Sequence, residues 1–198
     1  MTDLREYVER YTEGKLQVLD MRPFEVYMKG HLPNSILAPY VPDRWGYEIS
    51  NFLKQNKGET AVVYDSEDEK KKAYDELKRY GHDLQFFNYD IFSKSGELKE
   101  AFARNITPEE FEKSSDQYTV IDVREPYEWA TGTIDGAEMI SLNDLFTQHI
   151  NLDKNRKYAV ICEHGNRSLY GTIFLADKGF DVSNITEGMD GLRRRGIV

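Results

Sequence analysis

The chain has 198 residues, of which 39% are hydrophobic, 13% aromatic and 31% charged, and its formal net charge is −9. This length allows one large domain or two small ones, and the aromatic content excludes disorder throughout. Neither half is basic, which argues against a general binder of nucleic acid or of anionic membranes. No apolar run approaches the roughly 20 residues that would cross a bilayer.

The charged start MTDLREYVER precedes no apolar stretch, so no secretory signal is expected. A short β-rich run, Leu16–Leu19, closes on Asp20-Met21-Arg22. A second apolar run, Ala61–Tyr64, reads as a buried strand and is followed by a helical segment ending at Gly81. A further strand covers Leu84–Phe87. A linker is placed near Ser95–Ile106. It is followed by a helix start in which Thr107 takes the N-cap, Pro108 the first turn and Glu110 the third position.

The pattern then recurs. Val120–Val123 carries Asp122-Val123-Arg124, and Tyr158–Cys162 is again a buried strand. The helical segment after it places Leu169, Ile173, Phe174 and Ala176 on one face and ends at Gly179. Val182–Ile185 is the last strand. VLDMRPFEVYMKGHLPNS matches VIDVREPYEWATGTIDGA at a spacing of 102. AVVYDSEDEKKKAYDELKRYGHDLQFF matches AVICEHGNRSLYGTIFLADKGFDVSNI at a spacing of 98. Two small α/β domains of common origin are expected, 1–100 and 101–198, each an open parallel sheet flanked by helices. In such sheets ligands sit beyond the carboxyl ends of the strands, which directs attention to Tyr64 and Cys162.

Cys162 is the sole cysteine. It has no partner for an intrachain disulfide, no cysteine-based zinc site is expected, and a reducing cytoplasm is the expected setting. It opens the loop Cys162-Glu163-His164-Gly165-Asn166-Arg167-Ser168, which leads into a helix. A loop wrapped into a helix N-terminus can aim several N–H groups at one point, Gly165 permits the tight turn, and Arg167 adds a cation. Such surroundings favour a thiolate nucleophile. Glu163 is awkward beside a thiolate and an anionic substrate. His164 and Asn166 have no settled role, and Ser168 is read as bonding the sulfur or capping the helix. A lone cysteine ending an apolar run can also be an inert buried hydrophobe.

Cys-x-x-Gly-x-Arg-Ser after a strand, with Asp122-Val123-Arg124, Glu128-Trp129 and Gly132-Thr133-Ile134-Asp135-Gly136-Ala137 before it, resembles a rhodanese, or sulfurtransferase, domain. The family's Gly-His-Ile is Gly132-Thr133-Ile134 here, whereas the first copy keeps Gly30-His31-Leu32. The resemblance covers nearly the whole chain, as a tandem rhodanese. It implies that Cys162 accepts sulfur from a small anionic donor such as thiosulfate, forms a persulfide, and passes the sulfur to an external thiol or sulfur-acceptor protein, with no cofactor. The loop Glu163–Ser168 would bind the anion, while Asp122 and Arg124 would brace it. In the first copy Tyr64, Glu67, Glu69 and Lys70 stand opposite Cys162, Gly165, Arg167 and Ser168. That domain is expected to be inactive and, by family resemblance, to help shape the cleft of the other.

The spacing Cys-x4-Arg is one residue shorter than the Cys-x5-Arg of cysteine phosphatases, and the resemblance ties the shorter loop to sulfur. A phosphatase or arsenate reductase, and a binding module that senses redox state through Cys162, are the rival readings. The four histidines do not cluster with carboxylates, so no metal is expected. Arg193-Arg194-Arg195 could touch an anion or a partner but reads rather as a solvated tail or helix end, and Tyr40, Trp45 and Tyr47 read as core or as a connection overhanging the cleft.

Overall fold

The computed structural model describes residues 4–94 and 100–198. The chain divides into two compact units, Met1–Glu100 and Ala101–Val198. In chain order the first holds α1 (Leu4–Thr12), β1 (Leu16–Asp20), α2 (Phe24–Lys29), β2 (Ile36–Leu37), α3 (Trp45–Gln55), β3 (Glu59–Tyr64), α4 (Glu67–Arg79), β4 (Gln85–Asn88) and α5 (Tyr89–Ser93). The second holds β5 (Arg104–Ile106), α6 (Pro108–Ser114), β6 (Thr119–Asp122), α7 (Pro126–Trp129), β7 (Glu138–Met139), α8 (Leu142–Gln148), β8 (Lys157–Ile161), α9 (Asn166–Asp177), β9 (Asp181–Ile185) and α10 (Gly188–Arg194).

Successive side chains of a strand point to opposite faces, so an unbroken apolar run must be covered on both sides. In the first unit Val18, Ala61 and Val63 pack on one face with Tyr7 and Val8 of α1. Leu19, Val62 and Tyr64 pack on the other with Ile49 of α3 and Leu77 of α4. All pairings are parallel, in the order β2-β1-β3-β4. The second unit repeats the arrangement as β5-β9-β8-β6-β7, again all parallel. Phe111, Val120, Ala159, Ile161, Ile185 and Leu192 fill one face. The predicted α/β class, with one parallel sheet per copy, is the one observed. Gly81 and Gly179 end α4 and α9 at φ +80° and +81°, and Thr107 and Glu110 close a capping box at α6.

Three expectations need correction. The linker expected near Ser95–Ile106 stops short of its far end, because Arg104–Ile106 is the edge strand β5, paired with β9; residues 95–99 lie outside the described residues. A three-residue strand containing Arg and Asn has no apolar signature, because only its main chain joins the sheet. The buried face of α9 is Ser168, Gly171, Thr172, Leu175 and Ala176, while Leu169, Ile173 and Phe174 are half-buried. Small side chains bring this helix close to the sheet: a Cβ on Gly171 would lie 3.1 Å from Leu145 and 3.5 Å from Val160. Trp45 and Tyr47 belong to α3 rather than to an overhanging connection. Trp45 is buried and donates from Nε1 to the Ala38 carbonyl (2.7 Å), and Tyr40 donates to Glu76 (2.8 Å).

Candidate active site

β8 lies inside the sheet between β6 and β9, and Cys162 is the first residue past its carboxyl end. The loop after it is gripped from α10: the N–H of Met189 donates to the Cys162 carbonyl (2.9 Å) and that of Asp190 to the Glu163 carbonyl (3.0 Å). A Cβ on Gly188 would lie 2.2 Å from the Cys162 carbonyl oxygen, so only glycine permits this approach. In a trans peptide the carbonyl and the next N–H point in opposite directions. Turning the carbonyls of Cys162 and Glu163 toward α10 therefore turns the N–H groups of Glu163 and His164 away from it. Gly165, at φ +88°, then swings the chain into α9 as its N-cap. Among the described residues, none accepts a hydrogen bond from the main-chain N–H of residues 163–168. Six successive donors at the start of a helix of twelve residues are thus uncommitted, and such a group can hold an anion.

Cys162 is 2% exposed, and its Sγ lies 3.4 Å from the Ser168 hydroxyl. That hydroxyl is also 2.6 Å from Oδ1 of Asn184 on β9, whose Nδ2 donates to Asn105 on β5 (2.9 Å). The side chains of His164 and Asn166 are exposed.

Asp122 and Arg124 are fully buried and form a two-pronged pair: Nε reaches Oδ1 at 3.0 Å and Nη2 reaches Oδ2 at 2.7 Å. Arg124 Nη2 also donates to the Gly132 carbonyl (2.6 Å), and Thr133 donates to Asp122 (3.0 Å). Burial pulls the Arg124 pKa down, but the Asp122 carboxylate and then Glu163 more than offset it, and the guanidinium stays charged. Glu163 is drawn aside by two arginines, Arg124 (3.0 Å) and Arg193 of α10. Its negative charge is thereby matched, which resolves the awkwardness seen in the sequence. Arg193 and Arg194 form the last turn of α10 and Arg195 caps it, the helix-end alternative rather than the solvated tail, and Arg194 and Arg195 both pair with Glu187.

Arg167 is not a free cation. Its two terminal nitrogens donate to the two oxygens of Glu128 at 2.5 and 2.6 Å. The Arg167 hydrogen bonds outweigh partial burial and hold the Glu128 carboxyl down to about 2, and Glu128 in turn raises the Arg167 pKa. Nothing in the sequence assigns a site role to Glu128, Thr133, Asn184 or Asn105. Glu128 left a signal, since Glu125 and Glu128 stand three apart around Pro126 and close a capping box. The asparagines left none.

The first unit repeats the brace without the site. Arg22 clasps Asp20 at 2.9 and 2.6 Å and reaches the Gly30 carbonyl at 2.8 Å. At the end of β3, however, stands Tyr64, whose hydroxyl donates to Glu67 (2.5 Å) and accepts from Lys70 (3.2 Å). Ser66 caps α4 by accepting from the Glu69 N–H (3.3 Å), and Asp65, Glu67, Asp68 and Glu69 crowd that end with negative charge.

Comparison with known proteins accounts for the duplication. The model of the rhodanese-like domain matches residues 3–92 and again 107–195. The chain belongs to the rhodanese-like domain family. The Bacillus subtilis (strain 168) protein named "Putative sulfurtransferase YtwF" is 37% identical over 77 residues, which is 39% of this chain and 75% of that protein. The thiosulfate sulfurtransferase GlpE of Pseudomonas putida is 32% identical over 72 residues, covering 36% of this chain and 66% of the relative. Among solved structures, a rhodanese-related protein of Thermoplasma volcanium is 34% identical, with a TM-score of 0.46, over 47% of this chain and 93% of its own. The chain is thus a tandem rhodanese-like protein. No helix among its described residues is long and apolar enough to cross a membrane.

Proposed function

We propose that the second rhodanese-like unit carries a sulfane sulfur on Cys162, and that the first unit is catalytically inactive. The Cys162 thiolate attacks the outer sulfur of a small anionic donor such as thiosulfate. The S–S bond of the donor breaks, sulfite leaves with the electron pair, and the sulfur rests on Cys162 as a persulfide. A second nucleophile then attacks that outer sulfur, and Cys162 leaves as the thiolate. Two half-reactions through one covalent intermediate give ping-pong kinetics. The sequence holds no second cysteine, so the acceptor comes from outside: cyanide in an assay, a thiol or a sulfur-carrier protein in the cell. A reducing cytoplasm suits a single thiol that must stay free.

The observation that carries this reading is the run of uncommitted N–H groups from Glu163 to Ser168 around the only cysteine. The same donors can receive the terminal sulfur anion of a persulfide. A phosphatase reading is less well supported. The Cys-x4-Arg loop is the shorter form, and Arg167 is already clasped by Glu128 rather than open to a dianion.

The test is intact-protein mass spectrometry after thiosulfate treatment, with Cys162→Ser as control. A gain of one sulfur in the wild type alone supports the proposal. An unmodified wild type, or a gain that survives in Cys162→Ser, overturns it.

A further inference from the structure

Asn105, Asn184 and Val160 occupy one register across β5, β9 and β8, so their side chains share a face of the sheet. Alternation puts Cys162, two residues past Val160, on that same face. There Ser168 of α9 meets both the sulfur and Asn184. Ser168 is wholly buried and Asn184 is 3% exposed, so each must find its partners inside the protein.

The count of protons decides what the sulfur receives. Ser168 has one hydroxyl proton. Nδ2 of Asn184 is taken by Asn105 Oδ1, so the atom facing Ser168 at 2.6 Å is Oδ1, which can only accept. The Ser168 proton therefore goes to Asn184. Cys162 Sγ, at 3.4 Å, is the longer of the two contacts open to that single proton, and the shorter one to Asn184 takes it.

We propose that Asn184, oriented by Asn105, is a positioning residue that withholds the Ser168 proton from Cys162 Sγ. This rests on the reading of Cys162 as the sulfur carrier. The withholding acts unequally on the two states of the enzyme. A free thiolate at Sγ gains from a donor, because hydrogen bonds to ionised acceptors are the strong ones. The inner sulfur of a persulfide carries no charge and loses little without one, since its terminal sulfur faces the loop amides. The chain Asn105–Asn184–Ser168 thus favours the loaded enzyme over the discharged thiolate and slows loss of the sulfur until an acceptor engages it. When that acceptor attacks the outer sulfur, the S–S bond breaks and Sγ takes the electron pair.

Other charged or titratable groups surround the loop. Glu163, His164 and Arg167 belong to it, Asp122 and Arg124 follow from β6, Glu128 lies on α7, and Glu187, Asp190 and Arg193 lie at α10. The variants below leave all of them in place. Asn184→Leu keeps the side-chain bulk but removes the acceptor, so the Ser168 hydroxyl can turn to the sulfur. The expected result is a fall of about one pH unit in the midpoint of the thiolate absorbance at 240 nm, read against the same variant carrying Cys162→Ser. Discharge of the persulfide to cyanide is expected to rise about tenfold. The double variant Asn184→Leu/Ser168→Ala returns both quantities toward wild type.

Because a buried leucine can impair folding, Asn105→Ala provides a second route. Asn105 is exposed, and its loss frees the Asn184 amide to turn and donate to Ser168, which shifts the midpoint in the same direction. A midpoint that stays at the wild-type value in Asn105→Ala and in any folded Asn184→Leu overturns the proposal. So does a shift that persists without the Ser168 hydroxyl. The absorbance needs no sulfur donor, so it reports on this chain of hydrogen bonds even where thiosulfate loads no sulfur. Failure of the transfer reading is thereby told apart from failure of this one.

Discussion

Glu128→Gln removes the partner of Arg167 while keeping shape and the ability to accept a hydrogen bond. Its cost follows from the carboxyl being held at about 2 rather than at its ordinary 4.5. At about 1.36 kcal/mol per pH unit this corresponds to roughly 3 kcal/mol. The Arg167 side chain is 36% exposed, and solvent screening reduces the figure to roughly 1–2 kcal/mol. The sign with pH follows from the direction of the shift. The folded pKa lies below the unfolded one, so the stabilisation is complete above about pH 4.5 and fades as pH falls toward 2. Urea unfolding can follow Trp129, the neighbour of Glu128. A Trp45→Phe background removes the other tryptophan, which belongs to the first unit. The expected outcome is a gap between parent and Glu128→Gln at pH 7 that closes steadily between pH 4.5 and 2.5. A gap of constant size across that range, or none at pH 7, refutes the assignment of the stabilisation to this ion pair.

Two further outcomes are expected. Asp122→Asn leaves the Arg124 charge buried without its principal partner and should destabilise the second unit by about 3–5 kcal/mol; urea unfolding read at Trp129 checks this, and a cost below about 1 kcal/mol contradicts it. Tyr64→Cys should gain no sulfur from thiosulfate when assayed in a Cys162→Ser background, because Ser66 occupies an amide of that loop and four carboxylates surround it; a one-sulfur gain there contradicts the account of the inactive copy.

Much of the fold is legible in the sequence because its signals are local. A buried parallel strand must be apolar on both faces, and Ala61–Tyr64 and Tyr158–Ile161 are. A helix that ends on a left-handed residue leaves a glycine, and Gly81 and Gly179 sit at matching places. The cysteine loop is legible for the same reason, since its seven residues are contiguous. The supporting shell is not, because its partners are far apart in the chain. Arg193 reads as part of a basic run until folding sets it against Glu163, thirty residues away. Asn184 and Asn105, seventy-nine residues apart, become neighbours only through the register of β5 on β9, and no periodicity marks them. Glu128 meets Arg167 across thirty-nine residues.

The two copies also form an internal control on what the shared residues mean. Asp20–Arg22–Gly30 and Asp122–Arg124–Gly132 have the same donors, the same acceptors and nearly the same distances. One copy has a thiol at the strand end and the other a tyrosine, so this brace does not depend on sulfur chemistry. It belongs to the fold, where it satisfies a buried carboxylate and ties the strand end to the turn after α2 or α7. What separates the copies is confined to the residues after β3 and β8. One loop commits a single N–H to a serine cap and crowds its start with four carboxylates. The other leaves its donors open, directs its only acidic side chain to two arginines, and opens on a sulfur. The chemical difference between the units therefore rests on the residue that ends the strand and on the charge around the loop after it, a sulfur with one matched carboxylate against a tyrosine among four carboxylates, and the brace they share carries no information about it.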